Sequence, residues 1–483
     1  MTQNPRAEGG DRKGDVGPDL RSPRSGLPKR PSIDSVTTIN DDGSRYFVHP
    51  ADVRGPWTTG RRLVAVVLMA VYVSLPFIPI NGAPAVFLDV AHRKFHLFGL
   101  TLMFQDLWLL FFLITGLGFT LFLITAIVGR IWCGWACPQT VFLDHIIRRI
   151  ERVIDGDAVA RRKLEDAPLT AGKAIRRVVK HVLFFVFAAL IAHLFMAYFV
   201  SVPELYRMAH RSPLENWGTF LFVFGMTSAL YFDFAWFREQ FCIILCPYGR
   251  LQSALIDDNS IVIGYDEKRG EPRGKTGTGD CIDCRRCVQV CPTGIDIRQG
   301  LQLECIGCEA CIDACDEVMV RLDRKKGLIR HDSLNALAGR ASKFLRPRLF
   351  LYLFFALAGA TVFAFATTQV KPVILSVLRM QGSPYIRDES VIRNNFYLRL
   401  SNKRGSEHTY KIELVSPQAG LQATGATSAP VTLGPREEIQ EPLILTVPDK
   451  DFHGQFDVEV NVVGESGRVE TSRKIPFLGP FRE

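Results

Sequence analysis

Cys281-Ile282-Asp283-Cys284-Arg285-Arg286-Cys287-Val288-Gln289-Val290-Cys291-Pro292 decides how the rest of the chain is read. A near copy follows as Cys305-Ile306-Gly307-Cys308-Glu309-Ala310-Cys311-Ile312-Asp313-Ala314-Cys315-Asp316. The spacing is C-x2-C-x2-C-x3-C-P and then C-x2-C-x2-C-x3-C-D. Three cysteines this close in a tight loop grip three corners of an iron–sulfur cube. The fourth cysteine of each run reaches the other cube when the chain folds back with pseudo-twofold symmetry. The pattern assigns Cys281, Cys284, Cys287 and Cys315 to one 4Fe–4S cluster, and Cys291, Cys305, Cys308 and Cys311 to a second. Pro292 turns the chain away after its ligand. Asp316 stands where the second run would ordinarily carry proline, and it is expected to loosen the loop at Cys315.

This is the spacing of bacterial two-cluster ferredoxins. Zinc sites usually pair two C-x2-C hooks rather than two triplets. Disulfides need an oxidising compartment, which the topology below argues against.

The chain has 483 residues, 47% of them apolar, with 34 phenylalanines, a membrane-like balance. Its net charge of +9 would suit nucleic acid or an anionic membrane surface. Lysine and arginine crowd the segments beside apolar runs, and no aromatic-plus-basic module appears, so the charge reads as topology and excludes nucleic-acid binding. All twelve cysteines lie between Cys133 and Cys315.

Residues 1–55 are rich in Pro, Gly, Ser, Asp and Arg and read as a disordered arm. They do not form a signal peptide, because the first apolar run begins too far in. Five stretches reach the roughly 20 apolar residues that cross a bilayer: Leu63–Ile80, Leu107–Val128, Val182–Val200, Trp217–Phe237 and Leu349–Thr368. Four belong to a membrane domain at 56–250, and the last falls at 346–370. A ferredoxin domain at 251–345 separates them. Asp233 is expected at the interface.

The 129–180 loop is dense in arginine and lysine, whereas loops 81–106 and 201–216 hold two basic residues each. The positive-inside rule places the amino terminus, the 129–180 loop and the ferredoxin run in the cytoplasm, and the tail outside. Every cysteine then lies on the reducing side. Val141–Val153 has apolar residues at helical spacing; it suits either the inner membrane surface or an ordinary cytoplasmic helix.

Two further cysteine pairs form an internal repeat. Cys133-Gly134-Trp135-Ala136-Cys137-Pro138 follows the second span, and Cys242-Ile243-Ile244-Leu245-Cys246-Pro247 follows the fourth. On a helical turn, the two cysteines of each pair would share a face. Four thiolates could then meet at the membrane edge as a soft site for cuprous copper, zinc or iron–sulfur chemistry. Buried structural cysteines are the plain alternative. His145, His181 and His193, with Met196 a turn on, lie where further ligands could stand, but they make no convincing haem pair. Satisfied packing histidines are the simpler reading.

From 371 to 483 the character changes. Phe396-Tyr397-Leu398-Arg399-Leu400, Tyr410-Lys411-Ile412-Glu413-Leu414 and Phe456-Asp457-Val458-Glu459-Val460 alternate, and Leu443, Leu445 and Val447 fit a further strand. Short alternating strands predict an immunoglobulin-like β-sandwich whose default role is docking. The fold class is thus a multi-domain membrane protein. It combines five transmembrane α-helices, a two-cluster ferredoxin-like domain and a C-terminal β-sandwich.

This order of elements resembles the cytochrome c oxidase accessory proteins called CcoG, FixG or RdxA. The resemblance rests on Cys133-Gly134-Trp135-Ala136-Cys137-Pro138-Gln139-Thr140, on Cys242 through Arg250, on the eight ferredoxin cysteines with Cys315-Asp316, and on Gly327-Leu328-Ile329-Arg330. It makes Asp316 look like a family feature. The first half is also similar to membrane polyferredoxins that take electrons from quinol.

The resemblance implies a role in building the cbb-type haem–copper oxidase of bacterial inner membranes, through reduction of cupric to cuprous copper. Cys133, Cys137, Cys242 and Cys246 become the candidate copper site. The implied partners are an unidentified electron donor, a copper chaperone or copper-transporting ATPase, and oxidase assembly factors. A quinol dehydrogenase-type relay subunit and a non-redox assembly scaffold are the competing readings.

Overall fold

The computed structural model describes residues 38, 45–91, 93–103, 106–274, 277–369, 371–388 and 390–480. Among the described residues, five helices are long and apolar enough to cross a membrane: Pro56–Phe77, Leu107–Val128, Ala171–Met196, Pro213–Phe237 and Pro347–Thr368. In lipid a helix satisfies its own backbone polar groups, which apolar runs of this length require. The chain is a membrane protein.

The bounds of two predicted spans are corrected. The first helix begins at Pro56 rather than Leu63, with proline in the opening turn, where its missing N–H costs nothing. It ends early, and Pro79–Ile80 is a short strand. The third begins at Ala171 rather than Val182, capped by Thr170, whose hydroxyl accepts from the Lys173 N–H.

The arm also changes. Residues 1–37 and 39–44 lie outside the described residues, but 45–55 are packed, which corrects the predicted boundary. The Ala51 N–H donates to the Gln289 carbonyl at 2.8 Å, Arg45 pairs with Glu239, and Val48 and Val53 are buried. The apolar Tyr46-Phe47-Val48 gives this segment something to bury.

The helix predicted at Val141–Val153 runs from Pro138 to Asp155, widened by a π turn at Leu143–Ile147. It packs on the bundle. Leu143 and Ile147 meet Phe184 of the third span and Phe234 of the fourth, and Arg148 and Glu151 are buried.

The ferredoxin run is closed by an antiparallel pair, Ile261–Tyr265 with Ile329–Ser333. The tail forms two antiparallel sheets. One orders Gln422–Gly425, Glu438–Pro448, Val391–Asn402 and Val373–Arg379, with Ile386–Asp388 also on Val391–Asn402. The other orders Val431–Leu433, His408–Val415, Phe456–Gly464 and Val469–Phe477. Phe396, Leu398, Leu400, Tyr410, Ile412, Leu443, Leu445, Val458 and Val460 fill one core between them, so the predicted alternation faces inward. The sandwich rests on the loop between the first two spans, where Lys403 pairs with Asp106 and the Lys94 ammonium reaches the Arg436 carbonyl. The ferredoxin run contacts the opposite end of the first span, where Asp313 meets Thr58. The two soluble domains therefore sit at opposite ends of the bundle, joined by the fifth span.

The second and fifth spans approach through a glycine pair. A Cβ on Gly359 would lie 2.8 Å from Gly116 Cα and 2.9 Å from the Phe112 carbonyl oxygen. Small residues let helix backbones close in lipid. Gly359→Val should lower stability by about 1–3 kcal/mol through overpacking, read as thermal unfolding in detergent. Gly118→Val, at a position with nothing within 4 Å, should be silent. Equal effects from both would contradict this packing.

Candidate redox site

The two cysteine runs repeat in backbone as well as in spacing. In the first, Asp283 and Arg285 adopt left-handed φ of 56° and 55°; in the second, Gly307 and Glu309 do so at 67° and 58°. Non-glycine residues held there are strained, and such strain persists where the surrounding structure fixes it. The result turns each loop tightly enough to aim its three thiols inward.

Two matched cavities follow. Cys281, Cys284, Cys287 and Cys315 line one of about 360 Å³, walled by Leu328, Ile329 and Met319. Cys291, Cys305, Cys308 and Cys311 line the other, of about 340 Å³, walled by Ile263, Ile295 and Ile297. Cys287 borders both, so the cavities are neighbours. Burial pushes the Cys287, Cys308 and Cys315 thiols up to about 12. Such thiols ionise when a metal takes the proton's place. Backbone N–H groups already point at the sulfurs: Gly307 at Cys305, Ala310 at Cys308 and Ile329 at Cys315. This donor set fits a 4Fe–4S cube in each cavity. Among the described residues, no three His, Cys, Asp or Glu stand close enough together to hold a single metal ion.

Asp316 does not loosen its loop, contrary to expectation. Helix Ala310–Arg321 runs straight through Cys315-Asp316, and the Asp316 carboxylate accepts the Gly327 N–H at 2.9 Å. Proline in that interior would break the helix.

The two C-x3-C-P motifs share one local structure. Cys133 lies in helix Ile131–Trp135, and Cys137 is extended at the start of the helix from Pro138. Cys242 lies in the π turn Phe241–Leu245, and Cys246 is extended at the start of Pro247–Leu255. Proline pushes the residue before it out of helical conformation, so the pairs do not share one helical face as the spacing suggested. The four thiols nonetheless come within electrostatic reach of one another. Burial first, then Cys137 and Cys133, push the Cys242 thiol up. Burial also raises Cys133, which feels Cys137 and Cys246, while Arg130 opposes the rise. The Cys133 thiol donates to Gln252 Oε1 at 2.9 Å, and Arg130 Nε bonds the same amide oxygen at 3.2 Å. Cys137 is also raised by burial, offset by the Thr140 and Gln139 N–H groups at the helix start.

One of these thiols, Cys133, lies beside the second cysteine quartet. Cys133 and Cys308 belong to one buried apolar patch with Ile306, Ala310 and Ala314. A Cβ on Gly134 would stand 2.5 Å from the Gly307 carbonyl oxygen and 2.7 Å from that of Ile306. Around this contact, Trp135 Nε1 donates to Glu309 Oε2 at 2.6 Å, and Arg61 Nε donates to the Gly134 carbonyl at 2.6 Å. Arg130 reaches the Leu303 carbonyl. Gly134, Arg130, Gln252, Trp135 and Glu309 were missed in the sequence, where only the family-like motif around Cys133 hinted at them.

The histidines stand apart from the thiols. His181 Nδ1 pairs with the Tyr231 hydroxyl at 3.1 Å, and His193 Nδ1 with the Ala189 carbonyl at 2.8 Å. His145 faces an arginine-lined cavity. Asp233, expected at the interface, is buried and accepts from Gln139 Nε2 at 2.7 Å.

Comparison with known proteins agrees with this architecture. The family model for a 4Fe–4S dicluster domain matches residues 237–276 and 271–334. A 4Fe–4S binding domain matches 107–156, and the Ig-like fold at the C-terminus of FixG matches 363–480. Protein RdxA of Cereibacter sphaeroides is 34% identical over 80% of this chain and 85% of its own length. Protein RdxB of the same organism is 31% identical over 82% and 88%. The nitrogen fixation protein FixG of Rhizobium meliloti is 38% identical over 60% of this chain and 58% of its own.

Gly134→Ala should weaken docking of the ferredoxin loop by about 1–3 kcal/mol, because the clash is with backbone that cannot swing aside. Limited proteolysis within 251–345 should accelerate relative to wild type. Gly172→Ala, with open space at its Cβ, serves as the control. Unchanged proteolysis of Gly134→Ala would contradict the close approach.

Proposed function

Because the chain belongs to the FixG/RdxA family of membrane iron–sulfur electron-transfer proteins, we propose that it reduces cupric to cuprous copper for assembly of a cbb-type oxidase. The observation that carries this reading is the packing of Cys133 into one patch with Cys308. Cys281, Cys284, Cys287 and Cys315 would hold one 4Fe–4S cluster, and Cys291, Cys305, Cys308 and Cys311 the other. Bound clusters supply electrons one at a time. Cys284 of the first quartet is exposed, which leaves that quartet open to a soluble donor, while Cys308 of the second shares a patch with Cys133.

Copper enters as substrate. Each cupric ion takes one electron and becomes cuprous. Cys133, Cys137, Cys242 and Cys246 offer soft sulfur that favours the reduced ion. Arg130 and the N–H groups over Cys137 help those sulfurs carry negative charge. Cuprous copper then passes to a copper chaperone or copper-transporting ATPase, and on to oxidase assembly factors. The ferredoxin end lies in the cytoplasm of a bacterial inner membrane and the sandwich in the periplasm, a reading supported by the arginine-rich 129–180 loop.

A second reading, a relay fed by quinol, draws on a mainly apolar cavity of about 710 Å³ at the end of the second span. Val128, Ile131, Leu303, Cys305, Glu309 and His331 line it. Apolar pockets with a few convergent polar groups suit such headgroups.

Replacing Cys133, Cys137, Cys242 and Cys246 with serine should abolish cuprous ion trapped by a selective chelator, with the cluster absorbance intact. Retained copper reduction would sink the copper reading. Cluster reduction by a quinol analogue, with no reaction toward copper, would favour the relay.

A further inference from the structure

A further cavity lies between the packed strap at 50–53, the start of the first span and the helix from Pro138. It is built from arginine: Arg61, Arg62, Arg148, Arg149 and Arg161 line it. Only Asp52 and Asp144 face them as carboxylates. His145 also lines it, and burial, then Arg61, push its imidazole down to about 4, so it adds no charge near neutral pH.

The surrounding carboxylates are already shared. Asp144 pairs with Arg61 and Arg148, and Glu239 with Arg45 and Arg148. Glu151 serves Arg161 and Arg238; Asp52 serves Arg149 and Arg152. Arg62 makes no ion pair among the described residues and reaches only the Val53 carbonyl, at 3.4 Å. Arg148 and Arg161 are 8% and 6% exposed, yet among the described residues the Nε of each has no hydrogen-bond partner, and the same holds for Arg62 Nε. Buried guanidinium N–H groups left open are costly. A positive excess this dense calls for an anion.

We propose that this cavity binds a phosphate group. Tetrahedral phosphate oxygens match several guanidinium forks at once. Thr58 and the first-span arginines put the cavity at the membrane boundary, where an anionic phospholipid headgroup is at hand; a soluble phosphorylated molecule carries the same chemistry. Val290, Pro292 and Ala310 form the opposite wall, each next to a cysteine of the second quartet. The occupant therefore ties the ferredoxin domain to the membrane domain beside that quartet.

The test uses full-length protein with its clusters, delipidated in neutral detergent. Two probes are titrated, phosphatidylglycerol and inorganic phosphate. Wild type should bind at least one of them. Arg62→Gln with Arg149→Gln, both on partly exposed side chains, should weaken that binding at least tenfold, while Arg62→Lys retains most of it. Asp52→Asn should strengthen it, an effect that a purely structural role would not produce; as a separate variant, it also keeps the proposal falsifiable if the double variant fails to fold. Binding of the lipid without competition from inorganic phosphate assigns the site to a headgroup. Binding of both, in competition, assigns it to phosphate as such. No binding of either probe, or equal binding by wild type and all variants, overturns the proposal.

Discussion

The structure depends on one close approach, that of Gly134 to the Ile306–Gly307 backbone. No side chain fits there, since a Cβ would meet carbonyl oxygens at 2.5 Å and 2.7 Å. Packing this tight behaves as a rigid seam, because interiors are close-packed and have little room to give. The neighbouring groups all serve it. Arg61 holds the Gly134 carbonyl, Trp135 holds Glu309, and Arg130 ties Leu303 to Gln252 and Cys133. The first span adds a second anchor. Its opening turn has no cap of its own, and Asp313 of the ferredoxin helix accepts the Thr58 N–H at 2.7 Å and the Thr58 hydroxyl at 2.6 Å. A carboxylate at a helix N-terminus also answers the helix dipole. The soluble domain thereby completes the membrane domain.

The arginines at the ferredoxin end of the bundle are not merely solvated. Several are buried and shared in pairs among carboxylates. Burial alone would raise the Asp144 carboxyl, but Arg61 and Arg148 outweigh it and hold it at about 2. Removing one partner from such a network strands a buried charge, which costs far more than the pair contributes. The network links strap, spans and ferredoxin loop; Arg148 alone touches Asp144, Glu239 and the Pro292 carbonyl.

Much of this was legible in the sequence, for identifiable reasons. Cluster ligation imposes a cysteine spacing that few other constraints imitate, and each predicted quartet lines one cavity. Bilayer thickness imposes span length, and sheet pleating imposes the alternation at Phe396 and Tyr410. What escaped was set by tertiary partners. Arg61 is received by Asp144 and the Gly134 carbonyl, partners far along the chain. Asp316 seemed a weak point until Gly327 appeared across from it. The four C-x3-C-P thiols come within electrostatic reach of one another, but not through the shared helical faces that the spacing suggested. Gly134 looked like any motif glycine, and only the facing backbone explains it.

The central claim is that electrons held by the ferredoxin quartets reach copper at the neighbouring thiols. The most direct measurement is an anaerobic titration of fully reduced protein, freed of reductant, with cupric ion. Cluster absorbance and the cupric paramagnetic signal would be followed together. The account predicts that each reduced cluster is reoxidised by one cupric ion, whose signal vanishes as the absorbance returns. A cupric signal that persists while the clusters stay reduced would contradict it.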